Sequence, residues 1–224
     1  MTGRLDGKRI LITQADDFMG PTFSAAFRAE GAEVIEDRSD LTVPEAAGEV
    51  VAAAGEIDVL VANLAAPSDA AYAVKVSDER WNRLFDAMVH PLHRLVRAAL
   101  PDMMARKAGK IIVVGSATGL KAAPGAAPYS AARSAQVGYV RSVGVEAARF
   151  NVQINLIAQH FVENPEYFSA EFQQTDAFKK LLAEVPAGRL ARPEEDAALA
   201  VFLASNESDF FVGQAIPFSG GWAQ

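Results

Sequence analysis

Three residues, Ser116, Tyr129 and Arg133, are spaced S-x(12)-Y-x(3)-R in the stretch SATGLKAAPGAAPYSAAR. Their types could move a proton. A free tyrosine titrates at about 10 and is a poor base at neutral pH. A guanidinium beside a phenol favours the phenolate, so a Tyr-Arg pair can take a proton from a hydroxyl. A serine can hold the same substrate oxygen by a hydrogen bond. On a helix, Tyr129 and Arg133 are i and i+4 and share one face. A loop that folds back from Ser116 would bring its hydroxyl to Tyr129. The competing assignment is a buried tyrosine capped by serine, with arginine on a solvated helix face.

The elements that must position this trio follow from the pattern of apolar runs. Residues 110–115 form a buried strand that ends at Ser116, and the sequence from Gly125 to Phe150 feeds a long helix. The carboxyl end of such a strand is where open α/β sheets bind ligands. Further strands are expected at 8–13, 32–37, 57–65, 152–159 and 213–221, and helices after the loop 14–20, at 43–54, from Ser77 onward, at 176–184 and from Pro193. Ser77 is placed to cap its helix, and Pro91 to bend it or to mark a packing contact. The acidic run from Pro193 to Asp196 reads as a solvated helix start. Residues 160–176 are expected to be irregular. Alternating strands and helices imply a Rossmann-like doubly wound parallel sheet of six or seven strands, with helices on both faces. No linker or repeat divides the chain, so one domain over 1–224 is expected.

Composition narrows the function. The net charge of −7 argues against nonspecific nucleic-acid binding. With no cysteine, three scattered histidines and no HExxH, neither disulfides nor a dedicated metal site are expected. No apolar run is long enough for a membrane span. The polar start MTGRLDGKR has no signal-peptide pattern, so the expected location is the cytoplasm.

The strand VLVANLA, the W-x(6)-M helix from Trp81 to Met88, the Ser-Tyr-Arg stretch and the ending GQAIPFSGG together resemble the short-chain dehydrogenase/reductase superfamily. Its cofactor loop usually reads TGxxxGxG, whose glycines let backbone approach a pyrophosphate. Here the loop runs Thr13-Gln-Ala-Asp-Asp-Phe18-Met-Gly20, with one glycine and with charge and bulk where phosphates would sit. Arg133 replaces the superfamily's lysine, and Met88 stands where its dehydrogenases carry a catalytic asparagine. Asp37, at the end of the second strand, is a remnant or surface residue; alone it would favour NAD.

The motif T-x(4)-F-x-G, matched by Thr13, Phe18 and Gly20, joined to S-x(12)-Y-x(3)-R, resembles the halohydrin dehalogenases. That resemblance implies cofactor-independent conversion of vicinal haloalcohols to epoxides, and reverse epoxide opening by halide, azide, cyanide or nitrite. It makes Tyr129 the base, Arg133 its activator and Ser116 the holder of the substrate oxygen. It places the halide against Phe18, Gln159, His160, Phe161 and Val162, with His160 where the family commonly has asparagine. Thr13, Leu64, Tyr167 and Phe168 would line the substrate pocket. Leu64 stands where some relatives have an acid contacting the arginine. The resemblance also implies a homotetramer. The alternatives are an NAD(P)-dependent oxidoreductase with an atypical cofactor loop and a noncatalytic ligand-sensing member of the superfamily.

Overall fold

The computed structural model describes residues 3–66, 70–165 and 167–224. Six parallel strands, β1 (Arg9–Ile12), β2 (Glu33–Glu36), β3 (Val59–Asn63), β4 (Gly109–Ser116), β5 (Val152–Gln159) and β6 (Ala215–Phe218), form one sheet ordered β2-β1-β3-β4-β5-β6. The helices are α1 (Gly20–Ala29), α2 (Ala46–Ala54), α3 (Asp78–Met88), α4 (His90–Arg106), α5 (Ala127–Ala148), α6 (Ala170–Gln173), α7 (Asp176–Leu182) and α8 (Pro193–Ala204). This is the doubly wound architecture that the alternating pattern implies.

Helices cover both faces because successive strand residues point to opposite sides. Leu11, Ile111 and Val113 pack with Leu92, Leu95 and Val140 on the face of α2, α4 and α5. Their neighbours Ile10, Ile12, Ile112 and Val114 pack with Phe23, Phe27 and Ala200 on the face of α1 and α8. Burial on both sides explains why the strands read as continuous apolar runs rather than alternating ones. Pro217 is tolerated because β6 is an edge strand, where one missing donor leaves no ladder incomplete.

Three expected elements differ in detail. The segment 160–176, expected to be irregular, holds the one-turn helix α6, whose start Ser169 caps by accepting from the Phe172 amide. The helix from Ser77 is two helices, broken at Val89, with Pro91 in the first turn of α4. Ser77 caps α3 by accepting from the Arg80 amide at 3.3 Å. The last strand is shorter than 213–221 because Gly220 and Gly221 turn the chain with positive φ.

The register of β4 against β5 sets the site. Ser116 is paired with Gln159, so the trio's serine and the start of the 159–162 turn lie side by side at the carboxyl edge. The long helix α5 reaches the sheet closely through Gly144. A Cβ there would meet Gly213 Cα at 2.6 Å. No helix among the described residues is long and apolar enough to cross a membrane.

Candidate active site

Ser116 leaves β4 and caps the single 3₁₀ turn 117–119. Its Oγ accepts from the Thr118 amide at 3.3 Å and shares a hydrogen bond with Thr118 Oγ1 at 3.0 Å. That turn folds back onto α5. Ser134 Oγ donates to Gly119 O at 3.1 Å. Gly119 approaches so closely that a Cβ would lie 2.9 Å from the Arg133 carbonyl. The serine's own turn is therefore docked on the helix turn that carries the arginine.

Tyr129 is half-buried in the first turns of α5, packed against Ala66, Leu84, Met88 and Ala132. One helical turn on, the Arg133 guanidinium carbon lies 5.0 Å from the Tyr129 ring centroid. Arg133 is 2% exposed, which excludes a solvated helix face. Its Nη1 donates to Val114 O and to Gln136 Oε1, both at 3.0 Å. Gln136 is fixed in turn by donating from Nε2 to Met88 O at 2.9 Å. Nε of Arg133 has no protein acceptor among the described residues. A strand carbonyl and a side-chain amide, rather than a carboxylate, hold the guanidinium. The sequence did carry a signal for Gln136, since it lies three residues after Arg133 on the same helix face.

The turn that follows β1 is bonded to itself and to β3. The amides of Asp17 and Gly20 donate to Gln14 O and Asp17 O, and that of Ala15 to Asp37 O. Asn63 Nδ2 donates to both Gln14 O and Asp17 O at 3.0 Å, and Gln14 Oε1 accepts from the Ala65 amide at 2.7 Å. Outside the turn, Arg38 joins Asp16 at 2.6 Å and Glu36 at 2.9 Å. A pyrophosphate needs free amides pointing outward; these three are used internally. Replacing Asn63 by leucine takes one of two donors from each of two carbonyls. We expect a loss of about 1–3 kcal/mol in urea unfolding, with the 13–20 turn losing amide protection first.

Phe18 sits in this turn at φ +54°. Its ring meets Tyr167 edge-on, with centroids 5.3 Å apart. Thr13 and Leu64 have no exposed surface. Thr13 Oγ1 donates to Asn63 O at 3.2 Å, and Leu64 packs in the core beneath α4. They lie under the site rather than on its open wall.

The turn after β5 divides. His160 lies between Phe161 and Trp222, with ring centroids 3.9 and 4.3 Å away and both rings tilted 53° to its own. Its amide donates to Phe218 O at 2.9 Å, so that N–H is not available to an anion. Burial pushes the imidazole down to about 4, with the Lys121 charge adding to the effect. The ring is neutral at ordinary pH and offers one N–H. Lys121 Nζ donates to Trp222 O at 2.7 Å and lies 4.4 Å from the centre of its ring. Phe161 and Phe168 are stacked 6.4 Å apart in the cluster that also holds Phe178 and Trp222. Val162 packs with the α1–α8 core instead, and the Gln159 side chain turns toward Asp196. Eight of the twelve predicted residues fall into three groups: the trio, the Phe18–Tyr167 contact, and the His160–Phe161–Phe168 cluster; Thr13, Leu64, Gln159 and Val162 lie outside them. Lys121 and Trp222 join the last group, and nothing in their spacing marks them for it.

Known proteins bear on this arrangement. The family model described as enoyl-(acyl carrier protein) reductase, a short-chain dehydrogenase/reductase family, matches residues 6–223. The 3-oxoacyl-(acyl-carrier-protein) reductase FabG of Thermotoga maritima is 30% identical over 97% of this chain and 98% of its own. A solved structure described as a dehalogenation enzyme is 31% identical and superimposes with TM-score 0.91 over 100% of both chains. A gluconate 5-dehydrogenase from Burkholderia cenocepacia, solved in complex with NADP and tartrate, is 28% identical with TM-score 0.87, covering 98% of this chain and 96% of its own. The sheet order, the coverage and the family match agree, and the chain belongs to the short-chain dehydrogenase/reductase superfamily.

Proposed function

We propose that this chain is a halohydrin dehalogenase, closing vicinal haloalcohols to epoxides without a nicotinamide cofactor. The observation that carries this reading is the turn 13–20, bonded to itself and to Asn63 and carrying Phe18, together with a tyrosine whose helix partner is a buried arginine. The likeness to the dehalogenation enzyme supports it.

In this mechanism Ser116 donates to the substrate oxygen and Tyr129, as phenolate, takes the hydroxyl proton. Arg133 supplies positive charge behind the ring, in a setting where low exposure strengthens the interaction. The oxygen lone pair then forms a bond to the neighbouring carbon while the carbon–halogen bond breaks. The halide leaves with its electron pair, so haloalcohol becomes epoxide, proton and halide, with no change of redox state. The positive ring edges of Phe18, Phe161 and neutral His160 suit a polarisable anion. In reverse, a small anion enters that space and opens an epoxide.

The test is azide opening of a terminal epoxide with no nucleotide present. Formation of azido alcohol at a rate above buffer supports the reading; none with several epoxides overturns it.

A second reading, an NAD(P)-dependent reductase, is favoured by the reductase relatives and by Asp37. One carboxylate oxygen of Asp37 accepts from the Ser39 amide at 3.1 Å, and the other is buried with no protein donor among the described residues. An acid at that strand end holds the adenosine ribose in dinucleotide enzymes. Titration with NADH and NADPH separates the two. Saturable binding with turnover of a ketone favours this second reading.

A further inference from the structure

The turn 159–163, which carries two of the proposed halide contacts, His160 and Phe161, is tied to the start of α8 at three points. The Ala191 amide donates to Phe161 O at 2.8 Å, and the Glu163 amide to Ala191 O at 2.9 Å. The third tie joins side chains: Gln159 Nε2 meets Asp196 Oδ2. Asp196 has no exposed surface and Gln159 is 4% exposed. Both remaining oxygens, Asp196 Oδ1 and Gln159 Oε1, are buried with no hydrogen-bond donor among the described residues. An ionised carboxylate and an amide leave two spare acceptors in one dry place. A single proton on the carboxyl turns one of them into a donor.

The charged groups around α8 are occupied elsewhere. On its own turn Glu195 binds Arg189 at 2.7 Å and Arg192 at 3.5 Å, and Glu194 is its neighbour. On α1, Arg28 binds Glu36 at 2.7 Å. At the far end Arg4 binds Glu207 at 2.8 Å, and Lys110 of β4 binds Asp209 at 2.7 Å. His160, beside Gln159, is neutral. The dipole at the start of α8 favours an anion, but a buried unpaired carboxylate costs more than that field returns.

We propose that Asp196 is an un-ionised carboxylic acid paired with the Gln159 amide, and that this pair is the positioning device of the 159–163 turn. Burial alone raises the carboxyl to about 8, so the pair is intact at neutral pH and breaks on the alkaline side. Its consequence for anion binding rests on the dehalogenase reading; the protonation itself does not. The sign follows from linkage. Between about pH 4 and about pH 8 the folded chain keeps a proton that the unfolded chain has lost, so stability falls as pH rises across that window. Above it the cost is constant.

Infrared spectroscopy of the full chain at about pH 6, against Asp196→Asn, tests the first half. We expect a protonated-carboxyl band in the parent that is absent from the variant and titrates away at alkaline pH. The carboxamide of Asp196→Asn needs no proton, so the variant's folding equilibrium constant should gain on the parent's by roughly tenfold per pH unit between about pH 5 and 7. No such band, or a difference flat with pH, overturns the protonation. Amide exchange tests the second half. Protection of His160, Glu163 and Ala191 should fall above about pH 8 in the parent but not in Asp196→Asn, and at every pH in Asp196→Leu. Equal protection in all three overturns the positioning role. Bromide quenching of Trp222 in a Trp81→Phe background, the chain having two tryptophans, then separates the readings. If bromide never binds while band and protection behave as expected, the halide site fails and the pair stands.

Discussion

Tyr129→Phe is expected to lower halide release from a vicinal bromoalcohol by about 10³-fold while leaving thermal unfolding nearly unchanged. The phenol hydroxyl is the one group in the proposed trio that can accept the proton, and a positioned general base is worth about 10²–10⁴-fold. The ring itself is half-buried against Ala66, Leu84, Met88 and Ala132, and phenylalanine keeps those contacts. Steady-state bromide release at saturating substrate measures the loss. Since the lost interaction is made in the transition state, kcat should fall more than KM rises. A variant within a few-fold of the parent would remove Tyr129 from the chemistry.

Arg133→Met is expected to damage both stability and turnover. Methionine fills much of the space but leaves Val114 O and the Gln136 side chain without their donor. Two buried groups stripped of partners cost about 2–4 kcal/mol together, readable in urea unfolding. Turnover of the folded fraction should fall by about 10² or more, because the charge that favours the phenolate is gone. Gln136→Leu separates the two effects. It keeps the cation but removes one of its two holders, so it should lose more activity than stability if the arginine's aim matters. A full-rate Arg133→Met would contradict the proposed role of its charge.

How much of this is legible in the sequence depends on the range of each interaction. Strand positions follow from apolar runs such as VLVAN, because burial on both faces leaves no alternation to misread. The break at Val89 is signalled by Pro91, a local effect. The fold-back of the Ser116 turn is an inference from topology; the Gly119–Arg133 approach that produces it is a contact between elements, with no local signature. Gln136 is on the right face at the right spacing, yet nothing local says that its amide holds the guanidinium. Analogy of position puts Leu64 and Thr13 in the pocket. In the structure both are turned inward, because the core beneath α4 and the Asn63 carbonyl take them. Asp196 reads as part of an acidic, solvated helix start. Glu194 and Glu195 fit that description, whereas Asp196 lies one position further round the helix, on the face that packs against the sheet. A step of about a hundred degrees per residue separates a surface acid from a buried one.

The neutral imidazole of His160 bears on pH dependence. Held down to about 4, it changes charge only in acid. Across pH 6 to 8 its protonation should leave anion affinity unchanged, and a His160→Gln variant should show the same slope as the parent in that range.

The measurement that tests the central claim most directly is release of bromide and acid, together and in equal amounts, from 1,3-dibromo-2-propanol with no nucleotide present. Stoichiometric release by the parent and its loss in Tyr129→Phe are predicted. No release from this and related bromoalcohols, together with saturable binding of NADH or NADPH, would contradict the dehalogenase account and leave the reductase reading in its place.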